Sequence, residues 1–487
     1  MARPHPEQVA IRFHDAATHQ HRRDAAHRCH LLPYHRREAL TGEDFFILGL
    51  APSDSPMRVR RARALAALAR HPHVAEVRPV FKRGRTRWLS TNRLLVKVRA
   101  KGGAEIDRLV RGGATVVHER HGTVLLELAE RQNLDATLRR LARLDTIEFA
   151  EPDHVILRHH QGGSSSASRL ALGQAPLRLI HAADGWKAGV ASRDIIIAVL
   201  DCGVLTDHPD LKAAIGVSYD ATRGRSDQTP KPWDSHGTSC AGLAAGTHVG
   251  SAGVRGVADG CTVMPVRIAV TPTRLGTYLS KTSWQCRGID WAWEHGASVL
   301  SMSFGGGPSS AAVVAALGRA RTRGRSGKGA VLVASAGNGD SAPTPVEFPA
   351  TLSSVLAVSA TDNQDRPKNA PDNQEPWVTA SGAAVDLAAP GVGCYTTTVP
   401  DPTEGETALY TNDFSGTSAS TPLVAGAAAL VVGAHPALSE REVRQILCGT
   451  ADKVRTVKYT GGRNDWVGSG RLNVGAAVRA ALAFTHS

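Results

Sequence analysis

Apolar runs recur along the C-terminal two thirds of the chain, at residues 194–200, 262–268, 298–304, 330–336 and 355–359. Stretches with helical spacing, such as 288–295 and 311–321, lie between them. A strand that is apolar along its whole length must be covered on both faces, which parallel sheets flanked by helices achieve. The alternation therefore predicts an α/β domain with a mainly parallel central sheet. In such sheets ligands bind beyond the carboxyl ends of the strands, so the residues that follow each run are the ones to inspect.

Four polar residues stand at such places. Asp201 follows the run ending in Val199-Leu200, and His236 opens the helical stretch His236-Gly237-Thr238-Ser239-Cys240-Ala241-Gly242. Asn338 follows Ser335-Ala336-Gly337, and Ser418 precedes a small-residue helix expected over 419–432. Singly, each has a plain structural reading as a loop cap, a helix start or a turn. Together they fit acyl transfer. A serine hydroxyl is a poor nucleophile unless a base takes its proton during attack, and a neutral imidazole suits neutral pH. Asp201 would hold the His236 tautomer and stabilise the imidazolium. The Asn338 amide and the backbone N–H of Ser418, at a helix N-terminus, would meet the negative charge developing on the attacked carbonyl.

In this order the segments resemble the subtilisin-like (subtilase) serine peptidases. The resemblance is carried by Asp201-Cys202-Gly203-Val204 with His208-Pro209-Asp210-Leu211, by the His236 segment, by Ser335-Ala336-Gly337-Asn338 and by Gly416-Thr417-Ser418-Ala419-Ser420-Thr421-Pro422. It implies a three-layer subtilisin-like domain over residues 170–487 that hydrolyses polypeptides through Asp201, His236 and Ser418, with Asn338 in the oxyanion hole. It further implies that Ser303, Phe304 and Gly305 belong to the strand to which substrate backbone adds. Glu347, in Glu347-Phe348-Pro349-Ala350, falls near the floor of the pocket for the residue before the cut. An inward Glu347 would favour Lys or Arg there, and a solvated loop Glu is the alternative. The chain departs from the family at Ala419-Ser420-Thr421-Pro422-Leu423, where Met-Ala-Ala-Pro-His is usual. Asp210 matches a calcium-ligand position, yet its partner loop, Gly246-Thr247-His248-Val249-Gly250-Ser251, lacks the expected Asn or Asp oxygen donors. No cofactor is required for the chemistry, and structural calcium has little support from this loop.

Upstream, Gln161-Gly162-Gly163-Ser164-Ser165-Ser166 begins a flexible linker expected over 161–169. Before it, strands expected at 93–99, 115–119, 124–128 and 146–150, with helices at 104–111 and 133–143, give the βαββαβ order of a small ferredoxin-like domain over 90–160. This unit resembles the family's propeptide, an intramolecular chaperone and inhibitor. The expected cis partner is therefore the chain's own N-terminal region, cut near the 160–170 linker. Residues 41–88 carry a β, α, β pattern and an ending similar to that of 90–160, which a diverged tandem copy would explain. Residues 1–40, polar and His-rich, are expected to be poorly ordered.

The N-terminus lacks the apolar stretch of a secretory signal, so the protein is expected to be cytoplasmic as encoded, with another secretion route left open. No apolar run reaches the roughly 18–20 residues of a membrane span, and seven cysteines without paired spacing suggest reduced thiols. Of the net charge of +13, residues 1–160 supply +11 (29 Lys and Arg against 18 Asp and Glu), but these are scattered and not interleaved with aromatics, so nucleic acid is not an expected partner. No metal ligand is assigned: His118-Glu119-Arg120-His121 is one residue short of a zinc helix motif. Two rivals stay open at this point. One is a non-catalytic binding or regulatory protein on the same scaffold, the other an intracellular processing protease dedicated to one partner.

Overall fold

The structure is a computed structural model that describes residues 4–14, 16–31, 39–40, 45–51, 55–99, 103–129, 132–159, 175–250, 253–272, 277–340, 342–370, 375–401 and 408–485. The chain divides into two compact units, residues 1–158 with 272–279 and residues 159–271 with 280–487. The expected linker at 161–169 lies outside the described residues.

The C-terminal unit is built on a parallel sheet of seven strands. Their spatial order is Tyr219–Asp220, Thr262–Arg267, Ile196–Asp201, Val299–Met302, Val331–Ser335, Leu356–Thr361 and Leu387–Pro390. Val299–Met302, Val331–Ser335 and Leu356–Thr361 are buried from end to end, and Ile196–Asp201 and Thr262–Arg267 at all but their first residue, as unbroken apolar sequence requires. One set of alternate side chains, including Ile197, Val199, Val263, Val299 and Val333, shares a core with the helices His236–Ala245 and Thr417–Ala434. The opposite set, Ala198, Leu200, Val266, Leu300 and Leu332, is equally buried. The helix Thr282–Glu294 lies on that face, where a Cβ on Gly288 would come within 2.4 Å of Ile268 Cγ2 and 3.2 Å of Val266 Cγ1. A buried pair, Arg319 Nη2 to Asp290 Oδ2 at 2.7 Å, ties the helix Ala311–Arg323 to it. The result is the three-layer α/β/α architecture expected from the sequence.

The strand order reverses direction beside Ile196–Asp201. The chain moves from that strand outward to one edge, returns through Thr262–Arg267, and then continues from Val299–Met302 to the other edge. Ile196–Asp201 and Val299–Met302 are neighbours in register (Ile197 opposite Val299, Val199 opposite Ser301). Their carboxyl ends flank the switch point, where a crevice forms in sheets of this kind.

Within the N-terminal unit, two βαββαβ modules follow one another. The second uses strands Thr86–Val98, Thr115–Arg120, Thr123–Glu127 and Ile147–His159 with helices Gly103–Arg111 and Leu134–Leu141. Its spatial strand order is last, first, third, second, which is the ferredoxin-like order. The first module repeats this order with strands Pro4–Phe13, Ala39–Leu40, Phe45–Gly49 and Val74–Arg83 and helices His19–Arg28 and Met57–Leu68. A tight hairpin through Gly84 (φ 54°) joins the two, with Arg83 opposite Thr86 and Phe81 opposite Trp88.

Two boundaries are thereby corrected. The tandem copy is a complete module that begins at Pro4 and not at residue 41. The expectation of a poorly ordered 1–40 fails for Pro4–Phe13 and His19–Arg28, because Val9, Ile11 and Phe13 alternate into a core closed by Ala25, Ala26, Phe46, Leu48 and Leu68. The Thr18 hydroxyl and the His21 ring cap the helix reciprocally, a device that stabilises a helix start without any apolar signal.

Candidate active site

Asp201 ends the central strand Ile196–Asp201 and is buried, 1% exposed. One of its oxygens accepts the Cys202 backbone N–H at 2.8 Å. Both face His236 Nδ1, at 3.0 and 2.8 Å. His236 is the first residue of its helix, and Gly237 lets that helix approach closely, since a Cβ there would lie 2.2 Å from the Gly203 carbonyl oxygen. Burial disfavours the charged imidazole, but the Asp201 carboxylate outweighs it and holds the His236 pKa well above the ordinary value. The ring edge meets Phe414 at a centroid distance of 5.4 Å.

Ser418 is the second residue of the helix Thr417–Ala434 and donates its hydroxyl to the Ser303 carbonyl at 3.2 Å. Pro422 sits four residues further on, inside the helix. Lacking an N–H, it cannot satisfy the carbonyl of residue 418 in the helical ladder. Two outside donors replace it: Ser303 Oγ at 3.0 Å and Cys240 Sγ at 3.7 Å. Cys240 also lies 3.9 Å from His236 Nδ1, so a single thiol touches both halves of the site. Burial pushes that thiol above its usual pKa, which keeps it protonated and a donor at neutral pH.

Asn338 is 7% exposed and follows the strand Val331–Ser335. Its Oδ1 accepts both the backbone N–H and the hydroxyl of Thr417, each at 3.0 Å. With the oxygen engaged there, the amide nitrogen is the end presented away from Thr417. The structure thus brings Asp201, His236, Asn338 and Ser418 to one end of the sheet, at the switch point. Ser303, Phe304 and Gly305 are buried and lie beyond Met302, where the ladder ends, so the expected strand over 298–304 stops short of them. Glu347 is buried, 8% exposed, with its backbone N–H bonded to the Ala336 carbonyl at 2.8 Å. It is not a solvated loop residue. Cys240, Phe414 and Thr417 escaped sequence reasoning as contributors to the site, because their contacts join segments far apart in the chain.

Among the described residues, one His/Cys/carboxylate trio has metal-ligand spacing: Asp201, His236 and Cys240, with donor atoms within 4.8 Å of one another. The same atoms are accounted for by the hydrogen bonds above. The calcium position implied by the family likeness does not fit its residues. Asp210, fully buried, accepts backbone N–H groups from Val249 at 2.7 Å and Val254 at 2.6 Å. Tyr410 also hydrogen-bonds it, and burial followed by the Asp210 charge pushes that phenol up to about 12. Donors therefore converge on the carboxylate where a cation would need acceptors. The helix Thr417–Ala434 is long and apolar enough to cross a membrane, contrary to the expectation of no such stretch, and it is buried in the core of its unit.

A carboxylate–imidazole pair, a serine at a helix N-terminus and a side-chain amide beside it, all at the switch point of a parallel sheet, define a serine-hydrolase type of site. The sequence matches the Subtilase family over residues 192–470. It is 34% identical to thermitase of Thermoactinomyces vulgaris over 301 residues, 62% of this chain and 94% of thermitase. It is 30% identical to subtilisin E of Bacillus subtilis over 371 residues, 75% and 85% of the two chains. The crystal structure of fervidolysin from Fervidobacterium pennivorans, described as a keratinolytic enzyme related to subtilisin, superposes with a TM-score of 0.61 at 23% identity. That match covers 80% of this chain and 61% of fervidolysin. The chain belongs to the subtilase family of serine peptidases.

Proposed function

We propose that the protein is a serine endopeptidase in which Ser418 attacks the peptide carbonyl while His236, oriented by Asp201, takes its proton. For this the Ser418 hydroxyl turns from the Ser303 carbonyl to the imidazole. The Asn338 amide and the Ser418 backbone N–H then hold the oxyanion. The acyl-enzyme forms as the leaving amine receives the proton from His236, and water repeats the cycle in reverse. The observation that carries the reading is the pairing of buried Asp201 with part-buried His236, converging with the start of the Ser418 helix at the switch point. Segments 303–305 and 347 would hold the substrate backbone and the side chain before the cut. The chemistry calls for no metal.

The protein would be made as a zymogen, with the second ferredoxin-like module as inhibitor. Supporting this, the similarity to subtilisin E runs for 371 residues, longer than the 192–470 segment, while only 471–487 remain downstream. Much of the excess must therefore fall in the N-terminal region.

A serine-directed phosphonate should label the wild type and not Ser418→Ala, and wild type should lose its N-terminal unit while Ser418→Ala stays at 51.4 kDa. Absence of labelling in the wild type would mean a binding scaffold and not an enzyme. Identical unprocessed masses would refute self-cleavage.

A further inference from the structure

Glu375 is buried, 4% exposed, and each of its oxygens accepts a hydrogen bond. Oε1 takes the Ser415 hydroxyl at 2.6 Å, and Oε2 takes the indole N–H of buried Trp377 at 2.6 Å. Ser415 Oγ in turn accepts the Gly393 backbone N–H at 2.9 Å. The Ser415 side chain is therefore held from two sides, and the backbone on either hand of it leads to a reacting group. Upstream stands Phe414, whose ring meets His236 at a centroid distance of 5.4 Å. Downstream, the Gly416 N–H bonds the Gly391 carbonyl at 2.8 Å, the Thr417 N–H bonds Asn338 Oδ1 at 3.0 Å, and Ser418 follows.

Stability alone is a poor reason for a carboxylate at such a place. Taking one out of water is expensive, and an apolar side chain of similar size often does as well there. What the charge supplies is direction. Ser415 and Trp377 both present donors, and a carboxylate has an acceptor oxygen for each, whereas a Gln amide has one oxygen and an NH2. Hydrogen bonds to an ionised acceptor are also shorter and stronger than neutral ones. The same charge is felt on the neighbouring strand: burial, and then the Glu375 carboxylate, push the Cys394 thiol up to about 12. Cys394 is the cross-strand partner of Phe414.

We propose that Glu375 is a positioning residue for the peptidase reaction: through the Ser415 hydroxyl it sets where the Ser418 nucleophile stands relative to His236. The inference rests on the assignment of Ser418 as nucleophile. It adds a residue that acts on the reaction through another side chain.

The test compares kcat and KM on one peptide anilide for enzyme prepared from the full chain, with kcat counted per site titrated by the serine-directed phosphonate. Misfolded protein then drops out of the rate. A displacement of about 1 Å at a reacting atom costs on the order of 10²-fold. Loosening one anchor three residues from the nucleophile displaces it less, so Glu375→Gln should lower kcat per titrated site about 10-fold, with KM within about twofold. Glu375→Asp keeps the charge and shortens its reach by one methylene; it should lose less, and it stands in if Glu375→Gln does not fold. Ser415→Ala should lower kcat at least as far as Glu375→Gln. Adding Glu375→Gln to Ser415→Ala should then change kcat by less than about twofold, because both act through one contact. Multiplying losses in the double variant would overturn the route through Ser415. Variants that lose Tm or titratable sites but keep the wild-type kcat per site would reduce Glu375 to a structural residue and overturn the proposal alone. A wild type that takes up no phosphonate would sink the peptidase reading itself.

Discussion

Replacing Asp210 by Ala would remove the acceptor on which two backbone N–H groups and a phenol converge. Hydrogen bonds to a charged group contribute about 1.5–3 kcal/mol each, and a buried donor left unpaired costs about 1–3 kcal/mol. Val249 and Val254 would lose an acceptor 2.7 and 2.6 Å away; Asp210 and Val254 are fully buried, whereas Val249 is half exposed and can turn to water. Some relaxation and water entry offset the sum, so a loss of about 3–5 kcal/mol is expected, at the upper end for one substitution. For a unit of this size that is a fall in Tm of roughly 6–20 °C, at about 2–4 °C per kcal/mol. The measurement is thermal unfolding in a Ser418→Ala background, which prevents self-digestion, with excess calcium or with chelator. Asp210→Ala should fall by this amount equally in both. A bound cation would itself stabilise by about 2.7 kcal/mol at 100 times its Kd. If chelation lowers the Tm with Asp210 present but not with Asp210→Ala, the carboxylate holds a cation and the hydrogen-bond account is wrong.

Three further outcomes are expected. Asn338→Leu should lower kcat about 10²–10³-fold with KM little changed, and a change confined to KM would remove Asn338 from the oxyanion site. Because His236 must be neutral to accept a proton and its pKa is raised, kcat/KM should climb through a midpoint above pH 6.5. A midpoint below 6.5 would show that burial, not Asp201, dominates at the imidazole. Ser303→Ala leaves the Ser418 carbonyl without its hydroxyl donor and should destabilise by about 1 kcal/mol. Adding Pro422→Ala, which restores a helical N–H for that carbonyl, should recover part of the loss in denaturant unfolding, and simple additivity of the two changes would count against the replacement-donor account.

Sequence reasoning reached furthest where one physical constraint dominates. Strands buried on both faces must be apolar throughout, so 194–200, 262–268 and 330–336 announced themselves, each to within a residue or two of the strand found. Tyr219–Asp220 and Leu387–Pro390 did not, because two and four residues carry no period. The helix His19–Arg28 was missed because, among its described side chains, Ala25 and Ala26 alone enter the core and the rest of its sequence is polar, which leaves almost no apolar stripe. At the site, Asp201, His236, Asn338 and Ser418 were legible because the chemistry demands those side chains next to strand and helix ends. The groups that hold them were not. Cys240 and Ser303 act on Ser418 across 178 and 115 positions, and the donors on Asp210 include main-chain N–H groups, which any residue but proline supplies.

The hairpin at Gly84 has a mechanical consequence. Arg83 and Thr86 are already cross-strand partners, so no slack separates the two ferredoxin-like modules. The last strand of the first continues directly into Thr86–Val98, which in the second module is gripped by Thr123–Glu127 on one side and Ile147–His159 on the other. A pull on the Pro4–Arg83 module is therefore delivered as tension along the central strand of its neighbour, where shearing must break many ladder bonds at once. The first module is a handle welded to the second and not a bead on a string.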